Sequence, residues 1–371
     1  MARQRAVVRR APGKLFVAGE YAVVDPGNPA ILVAVDRYVT VTVSGADEDG
    51  VVVSSDLAPR QVRWQWRDGR LVVRGEADGQ HARAGLEHVL AAVEAVGRLL
   101  TERGLPTPAM DISIGSELHD NGTKFGLGSS GAVTVATVDA VAAFCGLELS
   151  PDIRYRLAVL ATVEIDPRSS CGDLAASTWG GWIAYRAPDR DAVLDLVRRR
   201  GVEEALGTPW PGFEARRLPP PAGLSLEVGW TGTPASTTAL VAGLNRRTWR
   251  GTASHRRFVE TSTDFVHAAV SALERGDGAG LQQQIRRARR ELARLDDEVG
   301  LGVFTTGLTA LCAAAEAVGG AAKPSGAGGG DCGIALLDAE ATQDITHVRE
   351  RWAMAGVRPL PIRPALEGNQ E

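Results

Sequence analysis

"KFGLGSSGAV", residues 124–133, decides how the rest of the chain is read. Three glycines and two serines fall within the eight residues 124–131, directly ahead of an almost wholly apolar run. Gly126, Gly128 and Gly131 remove side chains where backbone must approach something closely or turn with positive φ. Ser129 and Ser130 suit a helix cap, and the run from about Ala132 to Phe144 reads as a helix apolar on nearly every side, which buries it. Such a helix start leaves backbone N–H groups pointing outward at the positive end of the helix dipole. It is an anion site, and phosphate is the usual anion. The plainer alternative is an ordinary Gly/Ser turn with a serine cap.

Two more glycine-rich segments lie far away in the chain. In "APGKLFVAGEYAVVDPGNPAI", 11–31, Pro12-Gly13 reads as a turn and Lys14 as the start of a strand, where a lysine is commonly just a solvated residue. In "KPSGAGGGDCGIAL", 323–336, five small residues (326–330) precede the apolar strand Gly333–Leu336; alone this would pass for a flexible loop. Three such segments are hard to explain as unrelated turns. None fits G-x-x-x-x-G-K-[ST], nor G-x-G-x-x-G after a strand with an acidic partner about 20 residues on, so the P-loop and Rossmann readings fail.

The 371 residues suffice for two domains or one large one. With 44% apolar residues, 23% charged and a net charge of −4, the chain is globular and offers no electrostatic case for nucleic acid or an anionic membrane. Cys145, Cys171, Cys312 and Cys332 match no metal-ligand spacing and read as reduced thiols; with no signal-like or membrane-spanning run, a cytoplasmic protein is expected. Alternation marks strands at Val39–Val43, Val51–Ser54, Val62–Trp66 and Ala109–Ile114, and helical periodicity runs from Ala82 to Glu102. A helix over Pro151–Glu164 is followed by a turn-rich segment, 166–185, that ends in a strand. Three prolines make 218–221 the linker between an N-terminal domain, 1–217, and a C-terminal domain, 222–371. Beyond it come a strand at Leu224–Trp230, a helical pair within 254–298 and a short helix near 307–317. Asp139, isolated on the apolar helix, reads as a hydrogen-bonded structural residue, and the arginines of 286–290 as a solvated helix face. The fold class is mixed α+β in two halves.

"APGKLFVAGEYAVV", "GLGSSGA" and "KPSGAGGGDCG", in this order, resemble the three motifs of the galactokinase–homoserine kinase–mevalonate kinase–phosphomevalonate kinase superfamily, over nearly the whole chain. With "GDLAASTWGGWIAY" (172–185) and "GWTGTPAST" (229–237), the chain is most similar to the bacterial phosphomevalonate kinase branch. Mevalonate kinases carry P-x-G-x-G-L-G-S-S-A-A in the second motif, whereas Gly122 and Lys124 stand here at its proline and first glycine. The resemblance implies a two-domain α+β kinase fold with the active site in the cleft between α/β sandwiches. It implies ATP and Mg²⁺ as cofactors and phosphorylation of (R)-5-phosphomevalonate to (R)-5-diphosphomevalonate, on the mevalonate route to isoprenoids, by a monomer or homodimer. Mevalonate kinase is the runner-up; diphosphomevalonate decarboxylase and a non-catalytic sensor on the same fold remain open.

By the same resemblance, Lys124, Gly126, Leu127, Gly128, Ser129, Ser130 and Gly131, with Gly326, Gly328 and Gly329, surround the ATP phosphates. Ser130, with Ser129 as alternative, helps hold Mg²⁺. Lys14 and Asp173 match the family's lysine and the aspartate beside it near the transferred phosphoryl group; a lysine–aspartate pair is equally a common structural salt bridge. Arg168, Ser170, Thr231 and Ser236 are candidate acceptor contacts, although Ser236 suits a helix cap as well. A phosphate acceptor has a second pKa near 6 and needs little deprotonation, so Asp173 is assigned to positioning first and to base catalysis second. One departure stands out: relatives read G-S-G-G-D before the aspartate, where this chain has Ser169-Ser170-Cys171-Gly172-Asp173. Cys171 reads as a bystander thiol.

Overall fold

Alternating apolar residues at the start of the chain build a long antiparallel ribbon. In a computed structural model that describes residues 5–56, 58–74, 83–120, 122–234, 240 and 249–368, β1 (Val7–Ala18) pairs with β2 (Pro29–Gly45) from Val7 opposite Val43 to Ala18 opposite Ile31. Around it lie β3 (Val51–Ser55), β4 (Ala58–Arg67), β5 (Arg70–Val73) and β6 (Met110–Ser116). A small hairpin, β7 (His119–Asp120) and β8 (Thr123–Lys124), follows, then β9 (Trp182–Arg186) and β10 (Glu214–Leu218). The large sheet runs β10-β9-β2-β6-β3-β4-β5 with β1 beside β2, and its β3–β6 pair is parallel.

Its helices are α1 (Glu87–Glu102), α2 (Ser129–Phe144), α3 (Pro151–Ile165), α4 (Gly172–Trp179) and α5 (Arg190–Gly207), the last interrupted at Gly201. Helix α2 touches β1, β2, α1, α3 and α4. That central position is why its sequence is apolar all round. Asp139 on α2 is 5% exposed and accepts from the Nε atoms of Arg9 and Arg154, each at 2.9 Å, so its role is structural as the sequence implied.

The large sheet's last strand ends at Leu218, and a second sheet opens with β11 (Leu224–Trp230). It is antiparallel, ordered β12-β13-β11-β14, with β12 (Ala321–Pro324), β13 (Cys332–Asp338) and β14 (Arg358–Leu360). Helices α6 (Ala253–Arg275), α7 (Gly278–Val299), α8 (Thr306–Ala317) and α9 (Thr342–Met354) accompany it. The two halves are interleaved: α6 packs on β2 and β10, and the chain's end returns to the first sheet, where the Ala365 N–H donates to the Ala34 carbonyl at 2.9 Å. Residues 363–368 therefore pack with the N-terminal half, a correction to the expected boundary.

Three expectations change. The segment 166–185 is not all turn, since α4 occupies its middle; Ala, Ser and Thr there pack tightly but carry no apolar period. Pro12-Gly13 is not a turn but a bulge within β1, and Lys14 lies inside the strand rather than at its start. The arginines of 286–290 lie on α7, where Arg286 donates to the Gly319 and Gly320 carbonyls and Arg289 pairs with Glu316 on α8.

Asp139→Ala leaves the guanidinium groups of Arg9 and Arg154, 17% and 13% exposed, without this carboxylate. We expect a loss of about 3 kcal/mol in urea unfolding, the usual cost of breaking a buried ion pair from one side. A loss below about 1 kcal/mol, the range of surface pairs, would contradict this account of the core.

Candidate active site

The site begins where α2 begins. Gly128 is the residue before the helix, with φ 76° and ψ 42°, and no side chain caps the first turn. Ser129 and Ser130 thus stand inside the helix rather than capping it, a correction to the expected cap: the capping position itself needs a left-handed backbone that serine adopts at a cost. Gly128, Ser129, Ser130 and Gly131 line a cavity of about 890 Å³.

Two charged side chains flank this turn, each placed by a glycine. The Lys14 N–H donates to the Leu127 carbonyl at 2.8 Å, and its side chain crosses Gly128, where a Cβ would lie 2.9 Å from Lys14 Cε. Lys14 is 9% exposed; its ammonium sits 5.4 Å from the Phe16 ring centre. Asp173, on the first turn of α4, lies against Gly131, where a Cβ would come within 2.6 Å of its Oδ2. Among the described residues Lys14 and Asp173 make no ion pair within 4.0 Å. The plain structural salt bridge therefore fails, while both side chains line the cavity.

Of the residues proposed from sequence, Lys14, Lys124, Gly126, Gly128, Ser129, Ser130, Gly131, Arg168, Ser170, Asp173 and Gly326 line this one cavity. Leu127 contributes its carbonyl to Lys14 while its side chain is buried. Gly328 and Gly329 do not line the cavity: Gly328 packs against Val303, whose carbonyl accepts from the Gly329 N–H at 2.9 Å, and Gly329 lies against Leu240. Thr231 is turned to the Asp331 carbonyl, to which its N–H and Oγ1 donate at 2.9 and 3.2 Å. Ser236 lies outside the described residues.

The third glycine-rich segment works mainly as a brace. Ser325 Oγ accepts from the Phe16 N–H at 2.9 Å and donates to the Phe16 carbonyl at 3.0 Å. Tyr21 donates to the Ala327 carbonyl, fully buried Lys323 pairs with Glu20, and Asp331 packs against Gly126. Tyr21, Cys171 and Asp331, at φ 62°, 57° and 50°, are three of the four described non-glycine residues with positive φ. Each costs about 1–2 kcal/mol, and such strain gathers at functional sites. Cys171 holds a conformation that glycine would adopt freely. Its thiol is buried and pushed up to about 12, first by burial and then by Asp173, so it is no nucleophile.

Sequence reasoning missed His88. It stands on the first turn of α1, lines the cavity, and meets Thr134 Oγ1 at 3.4 Å. Burial pulls it below the ordinary histidine range, against the upward effect of Asp173 and Glu87. Nothing in its local sequence marks it, because only packing of α1 on α2 brings it there. Glu20, Tyr21 and Asp331 were also missed as cavity residues, although each sits within a quoted motif. Lys14, Lys124, Arg168 and an open helix N-terminus, which suit a polyanion, share this space with five carboxylates: Glu20, paired to Lys323, and Glu87, Asp166, Asp173 and Asp331.

The chain belongs to the GHMP kinases. Residues 87–181 match the model of the GHMP kinases N terminal domain and residues 269–353 that of the GHMP kinases C terminal. It is 72% identical to a phosphomevalonate kinase of Streptomyces sp. (strain CL190), covering 98% of this chain and 99% of that protein. The solved Streptococcus pneumoniae phosphomevalonate kinase, in complex with phosphomevalonate and AMPPNP, superposes with a TM-score of 0.82 at 27% identity, covering 97% and 99% of the two chains. A mevalonate kinase of Pyrococcus furiosus is 28% identical over 98% of this chain and 97% of its own.

Gly131→Ala displaces the Asp173 carboxylate while keeping the backbone N–H. We expect kcat to fall about 10²-fold, the cost of misplacing a group by roughly 1 Å, with ATP binding by calorimetry preserved; an unchanged kcat would remove Asp173 from the reaction. Because a thiol pushed up to about 12 is almost wholly protonated at lower pH, iodoacetamide at about pH 8, below the free-thiol pKa, is expected to spare Cys171 in the native protein. Peptide mass mapping checks this, and ready labelling of the folded chain would refute its burial.

Proposed function

We propose that this chain transfers the γ-phosphoryl group of ATP to the phosphate of (R)-5-phosphomevalonate, giving (R)-5-diphosphomevalonate. The single observation that carries the acceptor is the 72% identity over nearly the full length to a phosphomevalonate kinase, against 28% to a mevalonate kinase. The cavity is consistent with it, since two anions must meet there and the walls offer Lys14, Lys124 and Arg168. The first-turn N–H groups of α2 bind phosphate oxygens, and Lys14 lies where the transferred group would pass Gly128. A phosphate acceptor is mostly dianionic at pH 7, so Asp173 chiefly orients the acceptor and organises the field, and takes a proton only from the monoanion.

Mg²⁺ fits the residues present. The described residues hold no cluster of three His, Cys, Asp or Glu that would cage a metal, but Ser129 and Ser130 face the phosphate site without a side-chain capping bond. That suits an ion which arrives with the nucleotide and keeps phosphate and water ligands, Ser130 adding its hydroxyl and Ser129 serving as alternative. The ion would neutralise phosphate charge. Ser170 and Arg168 border the acceptor's side of the cavity, and 218–221 is the linker between the two halves. No helix among the described residues is long and apolar enough to cross a membrane, and the four cysteines are free thiols, in keeping with a cytoplasmic enzyme; we take it to act as a monomer or homodimer. Phosphorus NMR of products from ATP with mevalonate, 5-phosphomevalonate or 5-diphosphomevalonate tests the reading; turnover of mevalonate alone would overturn it.

The reading ranks two variants. Lys14→Met removes a positive charge where two anions meet, worth about 3 kcal/mol or roughly 10²-fold in rate. Asp173→Asn keeps the shape and removes a base that is barely needed. Lys14→Met is therefore expected to lose more kcat at pH 7.5 and saturating MgATP, with thermal melts as the folding check. The reverse order would restore Asp173 as an obligatory base.

A further inference from the structure

Thr134 argues for one tautomer of His88. Its hydroxyl carries one proton, and the 2.7 Å bond to the Ser130 carbonyl uses it. In the contact between Thr134 Oγ1 and His88 Nδ1 at 3.4 Å, the imidazole is therefore the donor. A neutral imidazole protonated on Nδ1 has a bare lone pair on Nε2. Among the described residues that nitrogen has no protein donor, and His88 lines the cavity while its partner Thr134 stands one helical turn beyond Ser130.

The surroundings keep the ring neutral. Burial acts first and Lys124 on β8 adds to it, against Asp173 on α4, Glu87 on α1 and Asp166 after α3. Phosphate oxygens bring only lone pairs to such a nitrogen and are repelled by it. What suits it is a hydroxyl that donates.

We propose that His88 Nε2 accepts a hydrogen bond from a substrate hydroxyl, either on the ribose of the nucleotide or the tertiary hydroxyl of the acceptor, and so selects for a hydroxylated substrate. The inference rests on the kinase reading for which molecules enter the cavity. His88→Asn keeps an amide facing Thr134 but has no atom where Nε2 stands, whereas His88→Gln places an amide oxygen near it. KM is measured with ATP, 2′-deoxy-ATP and 3′-deoxy-ATP, and with 5-phosphomevalonate and its 3-deoxy analogue. His88→Asn is expected to raise KM about tenfold for the hydroxylated member of one pair and to leave its deoxy analogue unchanged, the size of one lost hydrogen bond. His88→Gln should recover most of that loss. The affected pair identifies the source of the hydroxyl.

A loss equal for every parent and its analogue, or no loss at all, overturns the proposal. Should His88→Asn melt early, wild type and His88→Gln carry the test: wild type that binds every deoxy analogue as tightly as its parent also overturns it. Calorimetric binding of ATP and its deoxy analogues needs no acceptor, so failure of the acceptor reading, seen as no turnover of 5-phosphomevalonate by wild type, stays distinguishable.

Discussion

Everything at this site depends on one exposed end of one buried helix. A helix sunk in the core on all sides has its first-turn N–H groups fixed in direction, because sheet, α1, α3 and α4 all hold it. Those donors are left without side-chain caps, and the cavity in front of them is the place where an anion can satisfy them. A solvated helix could fray to relieve the same deficit; α2 cannot, since twelve of its residues are buried. The binding geometry is fixed by packing before any ligand arrives, which is what preorganised electrostatics requires.

Glycine then decides how close the charges come. At Gly128 and Gly131 the missing Cβ atoms are replaced by Lys14 and Asp173, so the two side chains enter from different elements and still touch the same helical turn. They form no ion pair with each other, and both line the cavity. The cost appears nearby: Tyr21, Cys171 and Asp331 hold backbone conformations that favour glycine, and Lys323 is desolvated entirely against Glu20. Cross-links between residues about 300 apart in sequence, Ser325 to Phe16 and Tyr21 to Ala327, hold that strained arrangement together.

Much of this was legible in sequence where the signal was local. The anion-binding helix start, β11 and the α6–α7 pair follow from composition and period, and β11 spans Leu224–Trp230 as read. The proposed catalytic pair was legible only through resemblance, since no local rule joins residue 14 to residue 173. What escaped was tertiary. Helix α4 hides in a Ser/Thr/Ala/Gly stretch with no apolar stripe, and α5 is broken at Gly201. Gly328 and Gly329 look like phosphate ligands in a motif, yet Gly328 packs against Val303 and the Gly329 N–H donates to the Val303 carbonyl. His88 has no signal of its own, because its meaning comes from Thr134 on a different helix.

Residue 171 shows how a strained loop is held. The Cys171 backbone takes a left-handed turn that glycine would adopt without cost. Tyr185 explains how that is tolerated: its hydroxyl donates to the Ser170 carbonyl, and Tyr155 meets the same hydroxyl at 2.9 Å, a buried chain that pins the loop from below. The loop therefore does not need glycine's freedom to reach this conformation, only to reach it without strain. With the backbone held, the Asp173 carboxylate arrives beside Gly131. A site organised around fixed backbone dipoles can in this way absorb side-chain change next to its central aspartate, provided the elements beneath it keep their hydrogen bonds.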